Sequence, residues 1–290
     1  MSTDALAARF EEHRPHLRAV SYRMLGSLSD ADDAVQETWL RLSRTEPAAI
    51  ENLGAWLTTV VSRVCLNMLR ARRTRREEPL DSHVPDPLIR PAGDPAHEAE
   101  LADSVGLALL VVLETLTPAE RLAFVLHDLF ALPFAEIAPL IERTPDATRQ
   151  LASRARRRVR GGAPSPERDP ARQRAVLDAF MAAARDGDFD RLVATLDPEV
   201  VLRADAGPGS ARVVGADAVA RRALLFSRAG GAGAQAHPAT INGGAGVVSF
   251  RDGRPTAIFA ATVVGGRIAA IDVSADPERF AGLDLSAFAA

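Results

Sequence analysis

Residues 116–159 read LTPAERLAFVLHDLFALPFAEIAPLIERTPDATRQLASRARRRV, and their punctuation predicts three helices in a row. Thr117, Pro118 and Glu120 stand where a helix takes its N-cap hydroxyl, its first-turn proline and its third-position carboxylate. That helix should end near Ala131-Leu132-Pro133, and a short one follows over residues 134–141. Thr144-Pro145-Asp146 repeats the start signal for a helix that stops at Gly161-Gly162. Residues 134–160 therefore fit a helix-turn-helix, whose second helix enters the major groove of DNA. Thr148, Ala152, Ala155 and Val159 form an inward stripe flanked by Leu151, which leaves Arg149, Gln150, Ser153, Arg154 and Arg157 outward. Arginine pairs bidentately with guanine and glutamine with adenine, each good pair discriminating by about 1–3 kcal/mol. Arg156, Arg158 and Arg160 suit the phosphate backbone, and the Thr144 end of the helix favours a phosphate. The competing reading is an ordinary amphipathic hairpin; the outward arginines weigh against it.

Upstream, residues 3–76 read as helical throughout. Leu6, Phe10, Leu17, Val20, Tyr22 and Leu25 recur at helical spacing, with a kink expected at Pro15 and a stop at Gly26. Ser29 followed by Asp32 resembles a capping box for a second helix, striped by Ala34, Val35, Thr38, Trp39 and Leu42. Glu51-Asn52-Leu53 opens a third, which runs through Trp56, Leu57, Val60, Val61, Val64, Leu66 and Leu69 into an arginine cluster. Both tryptophans lie on apolar stripes and are assigned to the core. Residues 77–100 form a proline-rich acidic linker in which regular structure is not expected, and helix resumes near Ala102. A second linker, residues 163–170, precedes a different pattern. Helices over about 172–185 and 189–196 lead into β-rich runs at 200–203, 247–251, 256–264 and 267–273, with a helix inserted at 216–227 and a hairpin turn at Gly265-Gly266. Two helices and then a twisted antiparallel sheet make an α+β domain with one concave apolar face.

The 290 residues are 47% apolar and 25% charged, a globular composition with material for two or three domains. The apolar run from Val105 to Leu113 is too short to span a bilayer, and the acidic start lacks a signal peptide's basic and apolar regions. Cys65 stands alone, excluding an intramolecular disulfide and a cysteine-based zinc site, so a reducing cytoplasm is expected. No metal or cofactor is implied. All 35 basic residues are arginine, and two clusters of six, at 63–76 and 145–160, flank a linker with seven acids and only Arg90. Two basic clusters in a chain of net charge −3 point to polyanion binding at two places.

ADDAVQETWLRL (31–42), NLGAWLTTVVSRVCLNMLRARRTRR (52–76) and the 116–159 stretch together resemble bacterial RNA polymerase sigma factors of the extracytoplasmic-function group. The first two are similar to sigma region two, the last to the helix-turn-helix of region four. The resemblance implies a cytoplasmic promoter-specificity subunit whose partners are core RNA polymerase and promoter DNA, with no membrane. It places Asp32, Asp33, Gln36 and Glu37 on the polymerase clamp helices, although acids near a helix start also stabilise the helix dipole. It sets Arg63, Asn67, Arg70, Arg72 and Arg73 on the melted −10 element, where asparagine can bond an unstacked base and arginines hold phosphates. It puts the helix opening at Thr144 on the −35 duplex.

RQRAVLDAFMAAARDGDFDRLVATLDPEVVLRAD (172–205) resembles the SnoaL-like domains, which share the ketosteroid-isomerase cone and are fused to one subgroup of these sigma factors. The expected layout is a region-two domain (1–76), a linker (77–100), a region-four domain (101–162), a short linker (163–170) and a SnoaL-like regulatory domain (171–290). Asp276-Pro277-Glu278-Arg279-Phe280 resembles the subgroup's closing Asn-Pro-Asp-Lys-Leu motif. His83-Val84-Pro85-Asp86-Pro87-Leu88 resembles its linker motif Trp-Leu-Pro-Glu-Pro-Leu without the tryptophan, and Asp205-Ala206-Gly207-Pro208-Gly209 loosely resembles its Asp-Gly-Gly-Gly-Lys loop. In that subgroup the tail regulates activity through the linker and both sigma domains. An isomerase-like site would need a carboxylate base in an apolar pocket opposite an oxyanion donor. Asp205 and Asp272 are the candidate carboxylates, while His237, before Pro238, reads as a solvated loop residue, and the single tyrosine, Tyr22, lies outside the tail. Docking or ligand sensing is therefore favoured over catalysis. Two alternatives stand beside the sigma reading: a free-standing helix-turn-helix regulator with a ligand-sensing tail, and a fused isomerase- or cyclase-like enzyme.

Overall fold

A computed structural model describes residues 3–45, 50–75, 84–92, 106–162, 166–206, 210–230 and 234–288. The expected helix start at Ala102, His83, the linker acids other than Asp86, Arg76 and the Gly207–Gly209 loop lie outside the described residues. The chain divides into two compact units, one of Met1–Glu78 with Val112–Gly162 and one of Pro79–Val111 with Ala163–Ala290.

In the first unit α1 (Thr3–Leu25), α2 (Leu28–Leu42) and α3 (Leu53–Arg75) pack around Phe10, Leu17, Met24, Leu25, Leu42, Leu57 and Leu66, all completely buried or nearly so. Pro15 lies inside α1, and Gly26 ends that helix at a φ of 71°, where a side chain would be strained. The cap of α2 is Ser27, whose hydroxyl accepts from the Asp30 amide, and not Ser29. The start shifts by two residues, and the hydroxyls of Ser27 and Ser29 bond each other at 3.0 Å. Trp39 is half-buried against Phe10, with ring centroids 5.1 Å apart, and Trp56 is half-buried. Past α4 (Leu107–Glu114), within which the division between the units falls, α5 (Pro118–Phe124) starts at Thr117 with both bonds of a capping box and continues as a π turn over Val125–Leu129. α6 (Phe134–Ile137), a 3-10 turn and α7 (Pro145–Gly162) complete the helix-turn-helix.

In the second unit α8 (Pro170–Asp186) and α9 (Phe189–Thr195) precede β2 (Leu196–Asp205), β3 (Ala211–Val214), α10 (Ala216–Gly230), β4 (Gln235–Ile241), β5 (Gly244–Arg251), β6 (Arg254–Val264) and β7 (Arg267–Ser274). α11 (Pro277–Phe280) and a 3-10 turn at Ser286–Phe288 follow. The sheet order is β1-β4-β5-β6-β7-β2-β3, where β1 is Ile89–Pro91 from the linker. Two expectations are corrected here. The linker carries a strand, antiparallel to β4, and β2 runs parallel to β7, so the sheet is mixed and not antiparallel throughout. The helices cover one face of this sheet, where Phe180 of α8 stacks on Phe259 of β6 among Leu177, Leu192, Val219, Val247 and Ile271.

Candidate nucleic-acid and linker interfaces

α7 turns one stripe inward, with Thr148, Ala152 and Ala155 fully buried and Val159 half-buried, and leaves Arg149, Gln150, Ser153, Arg154 and Arg157 exposed. Thr144 caps the helix by accepting from the Ala147 amide at 3.2 Å. Arg149 pairs with Asp146 at 2.6 Å and lies over the Phe134 ring, which presets its direction. Three neighbours are tied to their own unit. Arg154 and Arg158 both hold Glu120, whose side chain is 5% exposed, at 3.2 and 2.8 Å, and Arg156 holds Asp128 at 2.6 Å. Arg156 and Arg158 thus brace α7 against α5 in addition to the backbone role expected of them. Burial alone would raise the Glu120 pKa, but the Thr117 hydroxyl and amide and the two arginines outweigh it and hold it below the usual value.

On α3 the exposed residues Arg63, Asn67 and Arg70 recur at four and three residues, so they share one face, and Arg73 is exposed beyond them. Arg72 is half-buried and turned away. It donates to the Leu25 carbonyl at 3.1 Å and pairs with Asp30, closing the C-terminus of α1. Arg70, Arg73 and Thr74 line a cleft of about 380 Å³ whose other wall is Thr117, Pro118 and Ala119, the start of α5. On α2, Asp32, Asp33 and Gln36 are exposed and Glu37 half-buried; Asp32 pairs with Arg18 and Glu37 with Arg41.

A polar seam joins the helix-turn-helix part to the first three helices. Arg121 of α5 is 4% exposed and donates to the Arg23 carbonyl at 3.3 Å, while its second terminal nitrogen is buried with no hydrogen-bond partner among the described residues. Burial depresses its pKa to about 10. Arg23 lies 4.9 Å from the centre of the Phe130 ring, and His16 meets the same ring edge-on at 5.3 Å. Burial lowers the His16 pKa, with His13 and Arg23 adding to the effect. Cys65 is buried beneath, its pKa pushed up to about 12, which makes it an inert thiol.

In the second unit the three tail motifs meet. Arg279 of the closing motif pairs with Asp86 of the linker motif at 2.5 Å and with Asp205 of the loop motif. All three side chains are at least four-fifths buried. Burial opposes the arginine's charge, but the two carboxylates prevail and raise its pKa. Asp276 caps α11 by accepting from the Glu278 amide, and Pro277 opens that helix, so both set the position of Arg279. Beside the ion pairs, Asn242 grips Leu88 twice: its side chain accepts from the Leu88 amide at 3.0 Å, and its amide donates to the Leu88 carbonyl at 2.9 Å. Val84, Pro85 and Pro87 are buried, Leu88 is half-buried, and Ile89 and Arg90 continue into the strand pairing. Arg279 and Asn242 were not singled out as site residues from sequence. The closing motif contains the first, and Asn242-Gly243 is a hairpin signal, with both residues at positive φ.

The two candidate carboxylates of an isomerase-like site both face guanidinium groups. Asp205 holds Arg279, and Asp272, 2% exposed, receives the Arg203 Nε at 2.7 Å, although burial still pushes its pKa up. His237 is no loop residue. It sits within β4, half-buried, edge-on to Phe250 and Phe288, because the Asn-Gly turn returns the chain as a strand through Pro238. Among the described residues no group of acidic, histidine or cysteine side chains could hold a metal ion, and no helix is long and apolar enough to cross a membrane.

The model for sigma-70 region 2 matches residues 9–75, and that for sigma-70 region 4 matches residues 106–159. The ECF RNA polymerase sigma factor SigJ of Mycobacterium tuberculosis is 40% identical over 96% of this chain and 94% of its own length. The probable ECF RNA polymerase sigma factor SigI of the same organism is 37% identical over 94% of each chain. The crystal structure of M. tuberculosis SigJ superposes with a TM-score of 0.75 over 96% of this chain and 99% of that one, at 36% identity, so the likeness includes the α+β tail. With both sigma regions in order and relatives matching nearly end to end, the chain belongs to the ECF RNA polymerase sigma factors.

Proposed function

We propose that this sigma factor binds core RNA polymerase through the α2 face of Asp32, Asp33, Gln36 and Glu37, and works in the cytoplasm. It reads the −10 element with Arg63, Asn67, Arg70 and Arg73, and the −35 duplex with α7. The observation that carries the reading is α7 itself: Thr148, Ala152 and Ala155 are buried with Val159 half-buried beyond them, and the opposite face offers Arg149, Gln150, Ser153 and Arg157. Arg72 and Arg154 take structural parts, the first closing α1 and the second anchoring α7 through Glu120.

The tail modulates this activity in cis by holding the linker. Residues 84–92 join the two sigma regions in sequence, and the tail keeps them as an edge strand fastened by Arg279 and Asn242. Within the first unit the start of α5 walls the cleft beside Arg70 and Arg73, so polymerase binding must part the seam before the two regions can serve separate promoter elements. Release of the linker strand supplies the length for that separation.

Transcription by core polymerase with this protein on a library of promoter fragments tests the reading. Specific initiation that requires the protein is expected, with Gln150→Ala relaxing the −35 preference at one base pair and Arg160→Ala weakening all promoters alike. Absence of initiation together with tight binding to duplex DNA without polymerase would instead mark a free-standing regulator.

A further inference from the structure

Residues 163–170 join α7 to α8 in sequence, and their fastening leads back to the turn that grips the first linker. The Glu167 amide donates to the Val263 carbonyl of β6 at 2.7 Å. Gln173, in the first turn of α8 and 6% exposed, uses both ends of its side-chain amide. Its nitrogen donates to the Glu167 carbonyl at 2.6 Å, and its oxygen accepts from the Ala245 amide at 3.0 Å. Ala245 lies in β5 just past the Asn242-Gly243 turn, and Asn242 is the residue bonded to Leu88. The next residue of α8, Arg174, donates to the Gly246 carbonyl at 2.9 Å and to the Ala239 carbonyl at 2.5 Å. Ala239 is in turn the register partner of Pro91 in β1.

We infer that the two linkers open as one cooperative unit, with Gln173 as the positioning residue that bridges them. An amide side chain suits that place because it donates to one segment and accepts from the other. Almost fully buried, it cannot exchange one of these bonds for water without swinging out and giving up the other. The β4–β5 hairpin thus fastens residues 84–92 through Asn242 and residues 166–170 through Gln173, and a break in either grip weakens the other. Residues 106–162 lie between the two linkers in sequence, so one opening event frees the chain at both ends of the helix-turn-helix part. The consequence for transcription rests on the proposed hold of the tail on the linker: release is all-or-none, not one linker at a time.

Amide hydrogen exchange of the full chain, read at single residues, tests the coupling without involving polymerase. The Leu88 and Glu167 amides should open with the same free energy, as members of one unit do. Asn242→Gly removes a bond to Leu88 and none to Glu167, yet it should speed exchange at both amides by the same factor, up to about tenfold. Gln173→Met, of similar length but without either bond, should speed both as well, and adding Asn242→Gly to it should leave Glu167 exchange where it was. Glu167 exchange unmoved by Asn242→Gly, or Leu88 exchange unmoved by Gln173→Met, would overturn the inference. The first comparison does not depend on Gln173→Met folding. Loss of transcription in any of these variants would bear on the sigma reading alone, since exchange is read in the free protein.

Discussion

Arg121 carries its charge into the seam between the two sigma regions with one carbonyl to bond and no carboxylate at hydrogen-bond distance among the bonds described. A base whose folded pKa is depressed to about 10 destabilises the fold at neutral pH, and that penalty eases only as pH rises through about 10 toward the ordinary arginine value. Arg121→Met should therefore raise the thermal midpoint of the first unit, by about 1–2 kcal/mol of stability, because a buried charge that Glu114 only partly offsets gives way to an apolar chain of similar length. A lower midpoint would show that the bond to the Arg23 carbonyl outweighs the desolvation. Glu120 works in the other direction. Its depressed pKa contributes stability that is present above its unfolded value near 4.5 and lost as pH falls through the folded value. Glu120→Gln should cost about 1–3 kcal/mol and flatten that acid limb of the unfolding profile, since Arg154 and Arg158 lose a shared anion.

The linker strand is the element on which the tail's hold depends. Asn242→Gly keeps the positive φ and the backbone bond to Leu88 but removes the side-chain acceptor. The Leu88 amide should then exchange hydrogen up to about tenfold faster, one bond being worth about 1 kcal/mol, while α3 and α7 stay as protected as before. Equal exchange in both proteins would remove Asn242 from the clasp. Legibility in the sequence divides along the same element. The helices of the first unit carry caps, stops and 3.6-residue stripes within their own few residues, so α5, α6 and α7 were readable nearly to the residue. β1 has no such signal. Ile89-Arg90-Pro91 is short and rich in proline nearby, and its pairing partner is Ala239–Ile241, some 150 positions on. β4 was hidden by Pro238 in its middle, although Asn242-Gly243 and Asp252-Gly253 both marked hairpins. The outward face of α7 was legible, but Arg154 and Arg158 were not separable from it, because their partner Glu120 also reads as an ordinary capping residue.

Across the whole molecule, the linker motif, the loop motif and the closing motif are far apart in sequence and meet at one arginine. Asp86 and Asp205 lie 193 and 74 residues from Arg279, and loss of that arginine would take from both buried carboxylates the counter-charge they share. The three motifs thus form one device, a clasp that keeps the segment between the sigma regions as a strand of the tail. The most direct test is transcript yield from core polymerase with the full chain against Arg279→Met, on the promoter selected from the fragment library. The account predicts a yield at least about threefold higher with unchanged choice of −10 and −35 sequences, a release worth at least about 0.6 kcal/mol. A yield equal to or below that of the unaltered protein, with both units still folded, would contradict it.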